Sequence, residues 1–109
     1  MKKRVVIIDP ATRTISEGEV SSLKDMQALV GGNIELVQMG LPGSHELYVN
    51  EEGRFDSSLK PWTIEYEGQI FEDLVGPGFI IGDARAGGWN RSARISIYEV
   101  QRLVVWHGK

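Results

Sequence analysis

Val5, Val6, Ile7 and Ile8 form an unbroken run of β-branched residues that stops at Asp9-Pro10. A short apolar run ended by a turn pair predicts a buried strand over residues 4–9. A weaker stretch over residues 14–20 predicts a second strand, joined to the first through a turn at 11–13. The period then changes. Leu23, Met26, Leu29 and Val30 recur at helical spacing behind Ser22, which stands three residues before Asp25 as in a capping box. Gly31-Gly32 follows and supplies the left-handed backbone on which helices commonly end.

Further strands are predicted over residues 34–39 and 46–49, the latter with Leu47 and Val49 on one face, and 40–43 forms the turn between them. Asn50 and Gly53 bracket a type I turn pattern. Phe55 and Leu59 are expected to tuck onto the body, residues 62–66 alternate as a short strand, and Gly76-Pro77-Gly78 introduces the buried strand Phe79-Ile80-Ile81. Near the C-terminus, Ser96 and Glu99 repeat the capping-box spacing ahead of Ile97, Val100, Leu103 and Val104, which predicts a second helix. Val104-Val105-Trp106 is β-prone, so a strand is the competing reading of 97–106. The sum is an α+β fold: a small, largely antiparallel sheet with one or two helices, in a single domain over residues 1–109.

Composition narrows the chemistry. A chain of 109 residues has room for one hydrophobic core, and 41% apolar with 25% charged residues is ordinary for a globular protein. The absence of cysteine excludes disulfides and thiolate chemistry. The longest apolar run is too short to span a bilayer or to serve as a signal-peptide core, so a cytoplasmic protein is expected. Two histidines without cysteine do not assemble a transition-metal site, and no metal or cofactor is expected. Gly43-Ser44-His45 lacks the glycine spacing of a nucleophile elbow and reads as a turn serine beside an incidental histidine. Glu65 and Glu67 read as a solvated strand face. The glycines at 76, 78 and 82 precede or end a strand instead of opening a helix, unlike a dinucleotide fingerprint. No catalytic residue is assigned, and a non-enzymatic protein is expected.

Charge distribution adds the most specific signal. Glu46, Glu51, Glu52, Asp56, Glu65, Glu67, Glu72 and Asp73 crowd the middle of the chain against Arg54 and Lys60, whereas Arg85, Arg91, Arg94, Arg102 and Lys109 follow it against Glu99. A few arginines beside an acidic segment fit a small anion or a charged protein partner better than general double-stranded DNA. Residues 83–94 place Arg85, Arg91 and Arg94 with Trp89 and Asn90 in one loop. Guanidinium forks suit phosphates, an indole suits a flat ring, and an asparagine amide adds directional hydrogen bonds. These five residues are the candidate ligand-binding set, with Tyr48 and Trp62 as candidate pocket walls. The ligand expected is a small anionic, nucleotide-like molecule. A domain this small cannot easily wrap it alone, so a homo-oligomer sharing the pocket is expected. The alternative is a protein-interaction module that blocks a host or defence protein through its polarised surface.

The order of motifs resembles a known family. The opening Val5-Val6-Ile7-Ile8-Asp9-Pro10 strand, the 22–32 helix ending in Val30-Gly31-Gly32, Ile34-Glu35-Leu36-Val37, the 47–53 segment with its Tyr48-Val49-Asn50-Glu51-Glu52-Gly53 turn, and Gly76-Pro77-Gly78-Phe79-Ile80-Ile81-Gly82 together are similar to domain of unknown function 3846. The resemblance spans most of the chain. It implies a small protein of bacteria, bacteriophages and plasmids with no established catalytic residues. By analogy with counter-defence proteins of mobile elements, it implies sequestration of a nucleotide-derived immune signal, such as a cyclic nucleotide or an ADP-ribose derivative. After Gly82 this chain departs from the pattern, carrying Arg85 to Arg91 where a more acidic loop is expected, so the arginine-based site is particular to this sequence.

Overall fold

The computed structural model describes residues 2–52, 61–66, 69–70, 74–84 and 89–107, excepting the side chains of Gln38, Met39, Gln69 and Ile70. Phe55 and Leu59, and the Gly53 end of the predicted turn, lie outside these residues. In chain order the elements are β1 (Lys3–Asp9), β2 (Thr14–Val20), α1 (Leu23–Val30), β3 (Ile34–Leu41), β4 (His45–Asn50), β5 (Pro61–Tyr66), β6 (Gln69–Ile70), β7 (Leu74–Val75), β8 (Gly78–Gly82), α2 (Ile97–Leu103) and β9 (Val104–Trp106). The α+β reading holds, with two helices and antiparallel pairing throughout the described strands.

β1 and β8 lie at the centre of a five-stranded sheet of order β2-β1-β8-β4-β3. Alternation along the central strands divides their side chains between two cores. Val6, Ile8, Leu47, Val49 and Ile80 join Trp62, Ile64, Val100 and Val104 on one face, while Val5, Phe79 and Ile81 join Val20, Met26 and Val30 on the other. Both faces are thus covered, one by α1 and the other by α2 with the second sheet. This explains why β1 and β8 read as continuous apolar runs and not as alternating ones. Each fully buried side chain of this size contributes about 1.5–3 kcal/mol by leaving water.

Local sequence sets the helix ends. The Ser22 hydroxyl accepts the Asp25 N–H at 3.2 Å, and the Asp25 carboxylate turns back onto the Ser21 N–H and hydroxyl at 2.7 and 2.8 Å. Those bonds from Ser21, chiefly the one from its backbone, lower the Asp25 pKa. Gly31 closes the helix at φ 80. Ser96 and Glu99 make the full reciprocal capping box of α2. The competing readings of 97–106 divide the segment between them: the helix stops at Leu103, and Val104 turns into an extended conformation. From there β9 pairs with β5 in the register Ile64↔Val104, Thr63↔Val105 and Trp62↔Trp106. Three β-prone residues beside an available strand edge outweigh continuation of the helix. In the second sheet β6, β7 and β9 all pair with β5.

Candidate functional site

The loop predicted to bind ligand begins where β8 ends. Its two ends are joined by an Ala84↔Asn90 bridge and by a hydrogen bond from the Arg91 N–H to the Asp83 carbonyl at 3.0 Å. Asn90 is buried, and its amide donates to Glu46 Oε1 at 2.7 Å and to the Gly82 carbonyl at 2.8 Å. Glu46, also buried, accepts the Tyr48 hydroxyl at 3.1 Å. A Cβ at position 82 would lie 2.6 Å from the Ser92 carbonyl oxygen and 2.7 Å from that of Arg91, so the returning chain crosses β8 where only glycine leaves room.

The described arginines of the loop are tied to the protein. Arg91 donates from Nε to Asp83 Oδ1 at 3.0 Å and from Nη2 to the same oxygen. Arg94 Nη2 donates to the Gly43 carbonyl. Arg85 lies outside the described residues. Tyr48 stacks on Phe79 with ring centroids 5.5 Å apart, and burial, reinforced by Glu46, raises its pKa. Trp62 is wholly buried and donates its indole N–H to the Gly76 carbonyl at 2.9 Å, which makes it a core residue.

His45 is not the incidental turn residue expected. It is 1% exposed. Its Nδ1 lies 2.7 Å from the Pro42 carbonyl, and its Nε2 accepts the backbone N–H groups of Arg94 at 2.8 Å and Ile95 at 3.2 Å. Two fixed donors at Nε2 assign the neutral tautomer with the proton on Nδ1. Burial first, and the Arg94 charge in addition, lower its pKa from the ordinary 6.5. Across the same segment Arg4 donates from Nη1 to the carbonyls of Ala93 and Ile95 at 3.1 and 2.7 Å, and its other nitrogens hold Glu17. Residues 91–95 are therefore clamped between β1 and the start of β4.

Trp89 differs from its neighbours. It is 57% exposed, and with Lys3, Val20, Ser21, Ser22 and Met26 it lines a cleft of about 230 Å³. Val20 and Met26 belong to the α1-side core and form an apolar floor. Lys3 is the cleft's cation among its described lining residues. β-Pairing brings Lys3 opposite Val20, and the helix cap places the two serines beside them. No local pattern joins residues 3, 20–26 and 89, so sequence reasoning selected Trp89 and missed the rest. The one available signal was a lysine preceding an apolar strand.

Among the described residues no group of three or more His, Cys, Asp or Glu side chains is arranged to hold a metal ion, and no helix is long and apolar enough to cross a membrane. The family model described as Domain of unknown function (DUF3846) matches residues 1–101, which include every described lining residue of the cleft. No curated protein and no solved structure matches the chain.

Proposed function

The chain belongs to the DUF3846 family, and from that premise we propose that it captures a small anionic, ring-bearing ligand without cleaving it. The ligand class is a nucleotide-derived immune signal, a cyclic nucleotide or an ADP-ribose derivative, removed from the bacterial cytosol on behalf of a phage or other mobile element. The observation that carries the reading is the exposed Trp89 indole beside an ammonium, two serines and an apolar floor. A base stacked on such an indole gains about 1–3 kcal/mol. The cleft is smaller than the roughly 300–1,000 Å³ of complete small-molecule pockets. A second subunit supplying the opposite wall completes it, so the protein acts as a homo-oligomer.

Capture is favoured over turnover by what three of the described proton-transfer groups are doing. His45 is held by Pro42, Arg94 and Ile95, Glu46 by Tyr48 and Asn90, and His107 Nε2 lies 3.0 Å from the Thr63 hydroxyl. Calorimetric titration with cyclic dinucleotides and ADP-ribose derivatives is the test. One member of the panel should bind and be recovered intact, and Trp89→Ala should weaken it by about 10- to 100-fold, the equivalent of the stacking energy. A folded protein that gives no heat across the panel would discard the proposal.

The exposure of Trp89 also favours a second reading, a protein-interaction module, because part-exposed tryptophans are frequent anchors of protein interfaces. In that case Trp89→Ala abolishes capture of a host or defence protein, and no small molecule in the panel shifts the melting temperature.

A further inference from the structure

The charges around the Trp89 cleft differ from those on the opposite face of the same strands. Lys2 and Arg4 of the β1 end are paired across to β2, with Glu19 at 4.0 Å and Glu17 at 2.9 Å. Lys3, between them, shares the parity of Val5, so strand alternation sends it to the α1 face, away from both glutamates. There it is half-buried against the cleft, opposite Val20, and its ammonium has no hydrogen-bond or ion-pair partner among the described residues.

The serine wall of the cleft carries the opposite sign. Ser21 donates both its N–H and its hydroxyl to Asp25 Oδ2, at 2.7 and 2.8 Å, which fixes a carboxylate one hydrogen bond behind the wall. Those bonds, the backbone one first, lower the Asp25 pKa and keep it ionised. The Ser22 oxygen is engaged by the Asp25 N–H at 3.2 Å. One ammonium, a point charge and not a guanidinium fork, therefore faces an apolar floor with a fixed negative charge close by. A ligand phosphate with a single charge finds its counterion in Lys3. A second charge on the same phosphate would be desolvated over Val20 and Met26 with no described counterion, beside a like charge.

We infer, resting on the capture reading above, that the cleft selects phosphodiesters, with Lys3 as the phosphate contact and Asp25 as the group that rejects a doubly charged phosphate. Of the two ligand classes proposed, this favours the cyclic nucleotide, one singly charged phosphate per Trp89 and Lys3, over ADP-ribose with its adjacent pair of charges. The test is a titration at about pH 8, where a phosphate monoester with a second pKa of about 6 carries nearly two charges. Cyclic mononucleotides and cyclic dinucleotides are compared with the 5′-monophosphates, in adenine and guanine series, and with ADP-ribose. The Trp89 indole N–H of the ¹⁵N-labelled protein reports the site. Cyclic ligands should bind at least about threefold more tightly than the monophosphates and ADP-ribose, on the scale of solvent-screened charge pairs. Lys3→Gln should weaken the cyclic ligand about two- to fivefold at an unchanged melting temperature. Asp25→Asn, which keeps an oxygen for Ser21, should strengthen the monophosphate by a similar factor. Three results each overturn the selection while leaving capture standing: no preference for the cyclic ligands, cyclic affinity intact in Lys3→Gln, or monophosphate affinity intact in Asp25→Asn. Linear ApA, a diester of the same charge, binding more tightly than the rings overturns it in favour of single-stranded nucleic acid. A Trp89 signal that no ligand moves overturns both the selection and the capture.

Discussion

The 90–95 segment and the cleft beside Trp89 adjoin in sequence and share the residue types of a binding loop, yet they are built in opposite ways. In the segment, each described polar side chain singled out by the sequence meets a protein partner: Asn90 meets Glu46 and Gly82, Arg91 meets Asp83, and Arg94 meets Gly43. In the cleft, an indole remains more than half exposed over apolar side chains, with an ammonium nearby. An arginine or asparagine in a loop therefore does not declare a ligand, since the same hydrogen-bonding capacity serves to fasten a chain that lacks regular secondary structure. Residues 90–95 have little ladder pairing of their own, and their backbone groups must be satisfied by side chains such as those of Arg4 and His45.

The sharpest way to break the contrast is to remove a fastening. Asn90→Leu leaves Glu46 buried with one of its two described hydrogen bonds and deprives the Gly82 carbonyl of its amide partner. An orphaned buried acceptor costs about 1–3 kcal/mol and a charged one more. We expect a loss of about 3 kcal/mol, read as a melting temperature lower by roughly 10–20 °C. A variant as stable as the parent would show that the buried network is not what holds the segment.

Acid should loosen the same segment more gently. His45 accepts two backbone N–H groups at Nε2, so protonation there turns both contacts into clashes between donors. Its folded pKa lies below the unfolded value of 6.5, so the unfolded chain binds the proton first as pH falls. The His45 contribution is present in full above about pH 6.5 and is lost as pH drops from there through the folded value. The charges of Arg94, Asp83 and Glu99 act on the ring as well, the arginine lowering the pKa and the two carboxylates raising it. Thermal melts across this window should show stability declining on the acid side, and His45→Gln, which does not titrate, should flatten that decline. An equal slope in both proteins would remove His45 as its source.

What was legible in the sequence follows the range of the interactions involved. α1 was readable from Ser22 to Gly31 because caps and helical spacing act within a few residues. β1 and β8 were readable because burial on both faces leaves an apolar run. The two-residue strands β6 and β7 carry too little pattern to be seen, and β9 appeared only as a conflict with the end of α2, which the β5 edge resolves. The clamps were illegible for the same reason: Asn90 and Glu46 are 44 residues apart, His45 and Arg94 are 49 apart, and Arg4 reaches Ala93 across 89. Residue type identified Trp89 as a candidate but could not tell it from Trp62, which is 0% exposed.

Those two tryptophans frame the smallest expected effect. Trp62→Ala would remove a wholly buried indole and strand the Gly76 carbonyl, a change of the kind that costs about 3–5 kcal/mol. Trp89→Ala removes the same side chain from a site where more than half of it already faces water. Exposed substitutions away from such networks usually stay within about 0.5 kcal/mol, and the Trp89 variant should melt within a few degrees of the parent. If it does, any loss of ligand or partner capture in that variant belongs to the surface and not to the fold. A large drop in melting temperature would mean that the indole braces the 91–95 segment after all, and the division between fastened chain and open cleft would no longer hold at residue 89.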